Sequence, residues 1–90
     1  MIDIVLSKQL KKDLKLISKR GFSLDLLEDV VNKLASNIKL DDKYHDHALS
    51  GGYSGFRECH IKPDWLLIYR IDNDELFLFL LRTGTHSDLF

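Results

Sequence analysis

Apolar residues recur at two different periods along this chain, and the change of period divides it in half. Ile2 to Leu6 is a short run rich in β-branched residues and reads as a strand. Leu6, Leu10, Leu14 and Ile17 then recur every three or four residues, with Ser7 available as a cap, which predicts a helix over about 7–20. Gly21 stands where a helix C-terminus calls for glycine. Ser23 opens a second helix, to about residue 36, with Leu27, Val30, Val31 and Leu34 as its apolar stripe. Asp25, Glu28 and Asp29 fall in its early turns, where negative charge suits the helix dipole.

From Asn37 to Gly55 no period survives. Asp41, Asp42, Asp46, Gly51, Gly52 and Gly55 make this a long loop with room for a short helical turn, and long loops in small domains are often functional. Three strands follow, at about 55–61, 65–71 and 76–82. The last two are apolar at both parities, as expected of central strands covered on both faces. Asp72-Asn73-Asp74 forms the turn between them. The order is β-α-α-β-β-β, an α+β fold: an antiparallel sheet of about four strands with an N-terminal helical hairpin packed on it. Ninety residues make one domain, residues 1–90.

Composition adds exclusions. No apolar run approaches the roughly 20 residues of a membrane helix, so no membrane association is expected. Met1 to Leu6 lacks the basic segment and cleavage site of a secretory signal. A single cysteine forms no internal disulfide, and a reducing cytoplasm is the expected compartment. The net charge of −1 hides an asymmetry. Residues 1–40 hold eight Lys/Arg against five Asp/Glu, whereas residues 41–90 hold five against nine. Lys8, Lys11, Lys12, Lys15, Lys19 and Arg20 fall on the first predicted helix. They form either a solvated surface or a face that meets phosphate.

The segment Arg82-Thr83-Gly84-Thr85-His86-Ser87-Asp88-Leu89-Phe90 carries the most chemistry. A guanidinium can hold phosphate, an imidazole can move a proton near neutral pH, and an aromatic ring can stack on a base. Metal-free RNA cleavage needs such groups: one removes the ribose 2′ proton, one stabilises the crowded phosphate, and one protonates the departing 5′ oxygen. His60 and Asp64 flank the Ile61-Lys62-Pro63 bend, which would bring them together as a hydrogen-bonded pair, a general base and its orienter. The plain alternative is a surface His–Asp pair. For Arg82 the plain alternative is a strand-end cation paired with an acid, for His86 a loose tail residue, and for Trp65 a core aromatic. Cys59 alternates to the face opposite His60 and reads as a packing residue.

Asp46-His47-Ala48-Leu49, the run Gly55 to Tyr69 and Arg82-Thr83-Gly84-Thr85-His86 together closely resemble the YafQ branch of the RelE-like toxins. These are small ribosome-dependent mRNA endonucleases of bacterial toxin–antitoxin pairs. The resemblance is dense from about Tyr44 to Phe90; over the N-terminal half it rests on the order of elements. It implies a RelE-like fold and catalysis by His47, His60, Asp64, Arg82 and His86, without a metal or other cofactor. His86 is then the leading general acid and Arg82 the phosphate clamp, while His47 fits either a second acid–base role or a phosphate contact. Trp65 and Phe90 would stack on bases, and Lys62 and Arg57 would contact the RNA. A cognate antitoxin, the ribosome and mRNA are the implied partners. Competing readings are a metal site built from His45, His47, His60, His86, Asp64 and Cys59, a ParE-like inhibitor of a protein target such as gyrase, and a chain that only binds an antitoxin.

Overall fold

The computed structural model describes residues 2–90 and arranges them as an α+β fold. Strand β1 (Asp3–Leu6) leads into helices α1 (Lys8–Lys19) and α2 (Leu24–Ala35). Two single 3₁₀ turns, Asp42–Tyr44 and Gly51–Tyr53, bracket the two-residue strand β2 (His47–Ala48). Strands β3 (Arg57–Lys62), β4 (Trp65–Asp72) and β5 (Phe77–Gly84) follow, and helix α3 (His86–Leu89) comes last.

The local signals act largely as the chain pattern predicts. Ser7 accepts from Leu10 N at 2.8 Å, which caps α1, and its hydroxyl donates to Leu81 O at 2.6 Å, which ties that cap to β5. Gly21 takes the left-handed conformation (φ 83°) that ends the helix. Ser23 differs: its side chain makes no capping bond, and the first turn of α2 is held instead by Leu26 N on Ser23 O at 3.1 Å.

The sheet order is β1-β5-β4-β3-β2. Strands β3, β4 and β5 form the expected antiparallel meander, but β1 joins β5 in parallel, Asp3 opposite Phe77 and Leu6 opposite Leu80. The sheet is therefore mixed and has five strands rather than about four, because His47–Ala48 adds β2 onto Glu58 and Arg57. Two residues are too few to show a strand period.

Helices α1 and α2 cover one face. Leu10, Ile17, Leu27, Val30, Val31 and Leu34 pack with Cys59, Trp65, Leu67, Tyr69, Leu78 and Leu80 from the sheet. Each fully buried aliphatic side chain there contributes roughly 1.5–3 kcal/mol. On the other face Leu66, Ile68 and Leu89 form a second cluster, covered by Leu49, Tyr53, Phe56 and Leu81. The long loop and α3 thus supply the cover that lets β4 be apolar on both sides.

Trp65 belongs to the helix-side core. It is 2% exposed, meets Phe22 edge-on with 5.0 Å between ring centroids, and donates its indole N–H to Thr83 Oγ1 at 2.9 Å. The expectation that it stacks on RNA is therefore corrected: on a strand whose odd-numbered residues all face the helices, its ring has no open surface for a base.

Where β1 stops at Leu6, helix α1 takes over the free edge of β5. Ser7 N donates to Leu80 O at 3.1 Å, and Thr83 N donates to Asp13 Oδ2 at 3.2 Å. A register shift between Ile68 and Tyr69 places Arg82 opposite Ile68 and Leu80 opposite Tyr69, a bulge of the kind that re-aims side chains beside functional sites.

Candidate active site

Register places the chemistry on the helix-free face. His47 lies opposite Glu58, Glu58 opposite Ile68, and Ile68 opposite Arg82, a row across four strands. The next row runs from His60 through Leu66 to Gly84, two residues before His86. Side chains two apart on a strand share a face, so Glu58 and His60 stand side by side. The rings of His47 and His60 are 6.3 Å apart by centroid and those of His60 and His86 5.7 Å. His45 meets His60 edge-on at 5.6 Å, so a fourth imidazole stands in the cluster.

Each of the three expected histidines has Nδ1 held by an oxygen. His47 Nδ1 lies 2.7 Å from His45 O, His60 Nδ1 3.3 Å from Pro63 O, and His86 Nδ1 2.8 Å from Asp64 Oδ1. A carbonyl oxygen only accepts, so the first two nitrogens are donors, and an ionised carboxylate asks the same of the third. With Nδ1 committed, all three rings present Nε2 to the site.

Asp64 is therefore the partner of His86 and not of His60, which corrects the expected His60–Asp64 pair. The bend carries Asp64 towards the end of β5, where its Oδ1 also accepts the His86 backbone N–H at 3.0 Å. That backbone bond first, and the ring second, holds the Asp64 carboxyl below its ordinary range.

Glu58 escaped the sequence reading. It is 6% exposed, and its Oε2 lies 3.0 Å from His47 Nε2 and 3.9 Å from His60 Nε2. Its Oε1 is buried without a hydrogen-bond partner. With Nδ1 on His45 O, the short Nε2 contact ties His47 and Glu58 together as a pair. Such a buried, half-satisfied acid is costly unless it has a task. The available signal was its two-residue spacing from His60.

His86 owes its position to a compact turn. Thr85 and Asp88 form a reciprocal cap: Asp88 N donates to Thr85 Oγ1 at 3.3 Å and Thr85 N to Asp88 Oδ2 at 2.9 Å. Arg20 at the end of α1 donates to Asp88 at 2.7 and 3.2 Å, and this ion pair holds the Asp88 carboxyl down at about 2. Gly84 is required here, because a Cβ would stand 2.9 Å from Asp88 Oδ2. Phe90 is 63% exposed, with the Tyr53 ring beside it at 5.7 Å.

Arg82 is bound to Asp13 of α1, through Nε at 3.1 Å and Nη2 at 3.0 Å, which raises its already high pKa. Lys62 lines two adjoining clefts. One, of about 810 Å³, is also lined by Lys43, Tyr44, His45, His60 and Pro63; the other, of about 440 Å³, includes Asp64 and Thr85. Both lie in the size range of small-ligand sites. Arg57 is not part of this face. It sits opposite Tyr69 on the helix side and pairs with Asp46 at 3.3 Å, away from the histidines. Among the described residues, no three or more His, Cys, Asp or Glu side chains are arranged to hold a metal ion, and no helix is long and apolar enough to cross a membrane.

Comparison with known proteins gives consistent matches. Residues 2–90 match the family model described as bacterial toxin of type II toxin–antitoxin system, YafQ. The mRNA interferase toxin YafQ of Escherichia coli K12 is 43% identical over 89 residues, covering 98% of this chain and 95% of that protein. A metal-bound toxin from Helicobacter pylori has 53% identity and a TM-score of 0.94 over the whole of both chains. The E. coli DinJ–YafQ complex contains a chain of 38% identity and TM-score 0.90, matched over 100% of this chain and 99% of that one.

Proposed function

The chain belongs to the YafQ family of type II toxin–antitoxin toxins, and from that premise we propose that it is an endoribonuclease that cuts mRNA on the ribosome by acid–base catalysis. The observation that carries this reading is the set of three imidazoles on one face, each tethered at Nδ1, with Arg82 in the strand row that begins at His47.

His60 Nε2 takes the proton from a ribose 2′-hydroxyl, and the 2′ oxygen attacks the adjacent phosphorus. The bond from phosphorus to the 5′ oxygen breaks, and His86 delivers its Nε2 proton to that leaving oxygen. The products are a 2′,3′-cyclic phosphate and a 5′-hydroxyl, with one proton taken up and one given back. Asp64 orients His86 and stabilises the charged ring before it donates. His47 and Glu58 stand beside His60 as a hydrogen-bonded pair, and Arg82 spreads the charge that builds on the phosphoryl oxygens. Dependence on a 2′-hydroxyl makes RNA and not DNA the substrate. Phe90 stacks on a base, and Lys62 meets the backbone between the two clefts. A cognate antitoxin is the protein partner, in line with the DinJ–YafQ complexes of E. coli.

The test is cleavage of a defined mRNA with and without translating ribosomes, comparing wild type with His86→Ala. Loss of a general acid lowers the rate on the order of 10²–10⁴-fold. Codon-phased cuts that need ribosomes and vanish in the variant are expected. Cuts on naked RNA would remove the ribosome from the reading, and a toxic wild type that cuts no RNA would replace it with a protein target.

A further inference from the structure

We propose that Asp13, on helix α1 and outside the histidine cluster, is the positioning residue that fixes Arg82 as a one-edged phosphate clamp; this rests on the endoribonuclease reading above.

The Asp13 carboxylate is 5% exposed, and both its oxygens are fully used. Oδ1 accepts from Gln9 Nε2 at 3.1 Å and from Arg82 Nη2 at 3.0 Å, while Oδ2 accepts from Arg82 Nε at 3.1 Å and from Thr83 N at 3.2 Å. Four donors on one buried acid leave it no rotamer to move into. The Arg82 contact is the side-on form, through Nε and Nη2. Guanidinium has five N–H groups in a rigid plane, so this contact leaves both hydrogens of Nη1 and one of Nη2 unclaimed. They form the end-on edge, which matches two oxygens of a phosphate. The Arg82 side chain keeps 26% of its surface open, against 6% for that of Asp13. Leaving Asp13 buried without its cation is strongly unfavourable, so Arg82 stays in place and the phosphate comes to it. Asp13 also accepts from Thr83 N, which pins the carboxylate itself to the β5 backbone.

The experiment measures kcat and KM for ribosome-bound mRNA with wild type, Asp13→Asn, Arg82→Ala and the double variant, alongside thermal stability. Asp13→Asn keeps the shape of the side chain and removes its charge. It is expected to lower kcat on the order of tenfold or more while KM stays within about twofold. In the Arg82→Ala background it should have no further effect, because the group it positions is gone. Arg82→Lys gives a second arm: an ammonium can pair with Asp13 and keep the fold, but offers no second edge, so its kcat should match that of Arg82→Ala. An equal loss from Asp13→Asn in both backgrounds, or a lysine variant as active as wild type, would overturn the assignment of Asp13. A wild type that cuts no mRNA would overturn the endoribonuclease reading itself, and the assignment with it.

Discussion

At the scale of single residues, two aromatic side chains of similar chemistry have opposite surroundings. Phe90 is open and Trp65 is closed, so their substitutions should separate cleanly. Phe90→Ala is expected to weaken RNA binding by about 1–3 kcal/mol, the usual contribution of one base stack, and to leave thermal stability unchanged. Trp65→Phe removes the donor to Thr83 Oγ1 and should cost stability by about 0.5–1.5 kcal/mol with RNA affinity intact. Binding titrations and melting curves on both variants check this, and a Trp65→Phe protein that lost RNA affinity at full stability would contradict the buried placement. The histidines teach a related lesson. The structure brings three of them together, but their partners could not be read from the chain. His60 and Asp64 flank one bend, and nearness in sequence favoured pairing them; the ring that Asp64 holds is 22 residues away. Ion pairs closed across the fold carry no periodic or local signal, so Asp13 with Arg82, 69 residues apart, was equally invisible.

At the scale of elements, the signals that could be read were those with a period. Helices α1 and α2 show enough repeats to declare their buried face, and strands β4 and β5 are apolar for long enough to declare cover on both faces. Strand β2 and helix α3 are too short to do so, and both carry or abut a site histidine. Helix α3 hangs on Asp88, and this makes it sensitive to acid. The Asp88 carboxyl is held at about 2, below the ordinary value of 3.8, by Arg20 and by Thr85. A depressed folded-state value means the stabilisation is fully present above about pH 4 and is lost as pH falls through about 2. Asp64 is shifted the same way by His86, so that tie too is lost on the acid side. NMR shifts of Ser87 and Leu89 followed from pH 5 to 2 should report α3 detaching there, and Asp88→Asn should show a detached α3 already at pH 5. Retention of α3 by that variant would mean that the cap and Leu89 burial suffice without the charge.

At the scale of the whole molecule, Cys59 is a built-in reporter. It is fully buried opposite Leu67, and burial pushes its thiol up to about 12, so native protein offers a thiol reagent neither access nor thiolate. Labelling then requires opening of the core. Leu67→Ala, which empties the space facing the sulfur, should destabilise by about 2–5 kcal/mol and speed labelling by about 30-fold or more. Labelling at the wild-type rate would show that Cys59 is reached by a local fluctuation instead.

The parallel pairing of β1 with β5 has a consequence for when activity begins. It closes the sheet between residues more than 70 apart, and only that closure brings α1 alongside β5, where Asp13 and Arg20 reach Arg82 and Asp88. Contacts of such long range are the slow ones in folding. A molecule that has formed only the β3–β4–β5 meander already displays His60, yet its arginine is unanchored and its last histidine unplaced. On the proposed mechanism, catalysis waits for that closure and does not grow in gradually, so a half-folded toxin would be a harmless one.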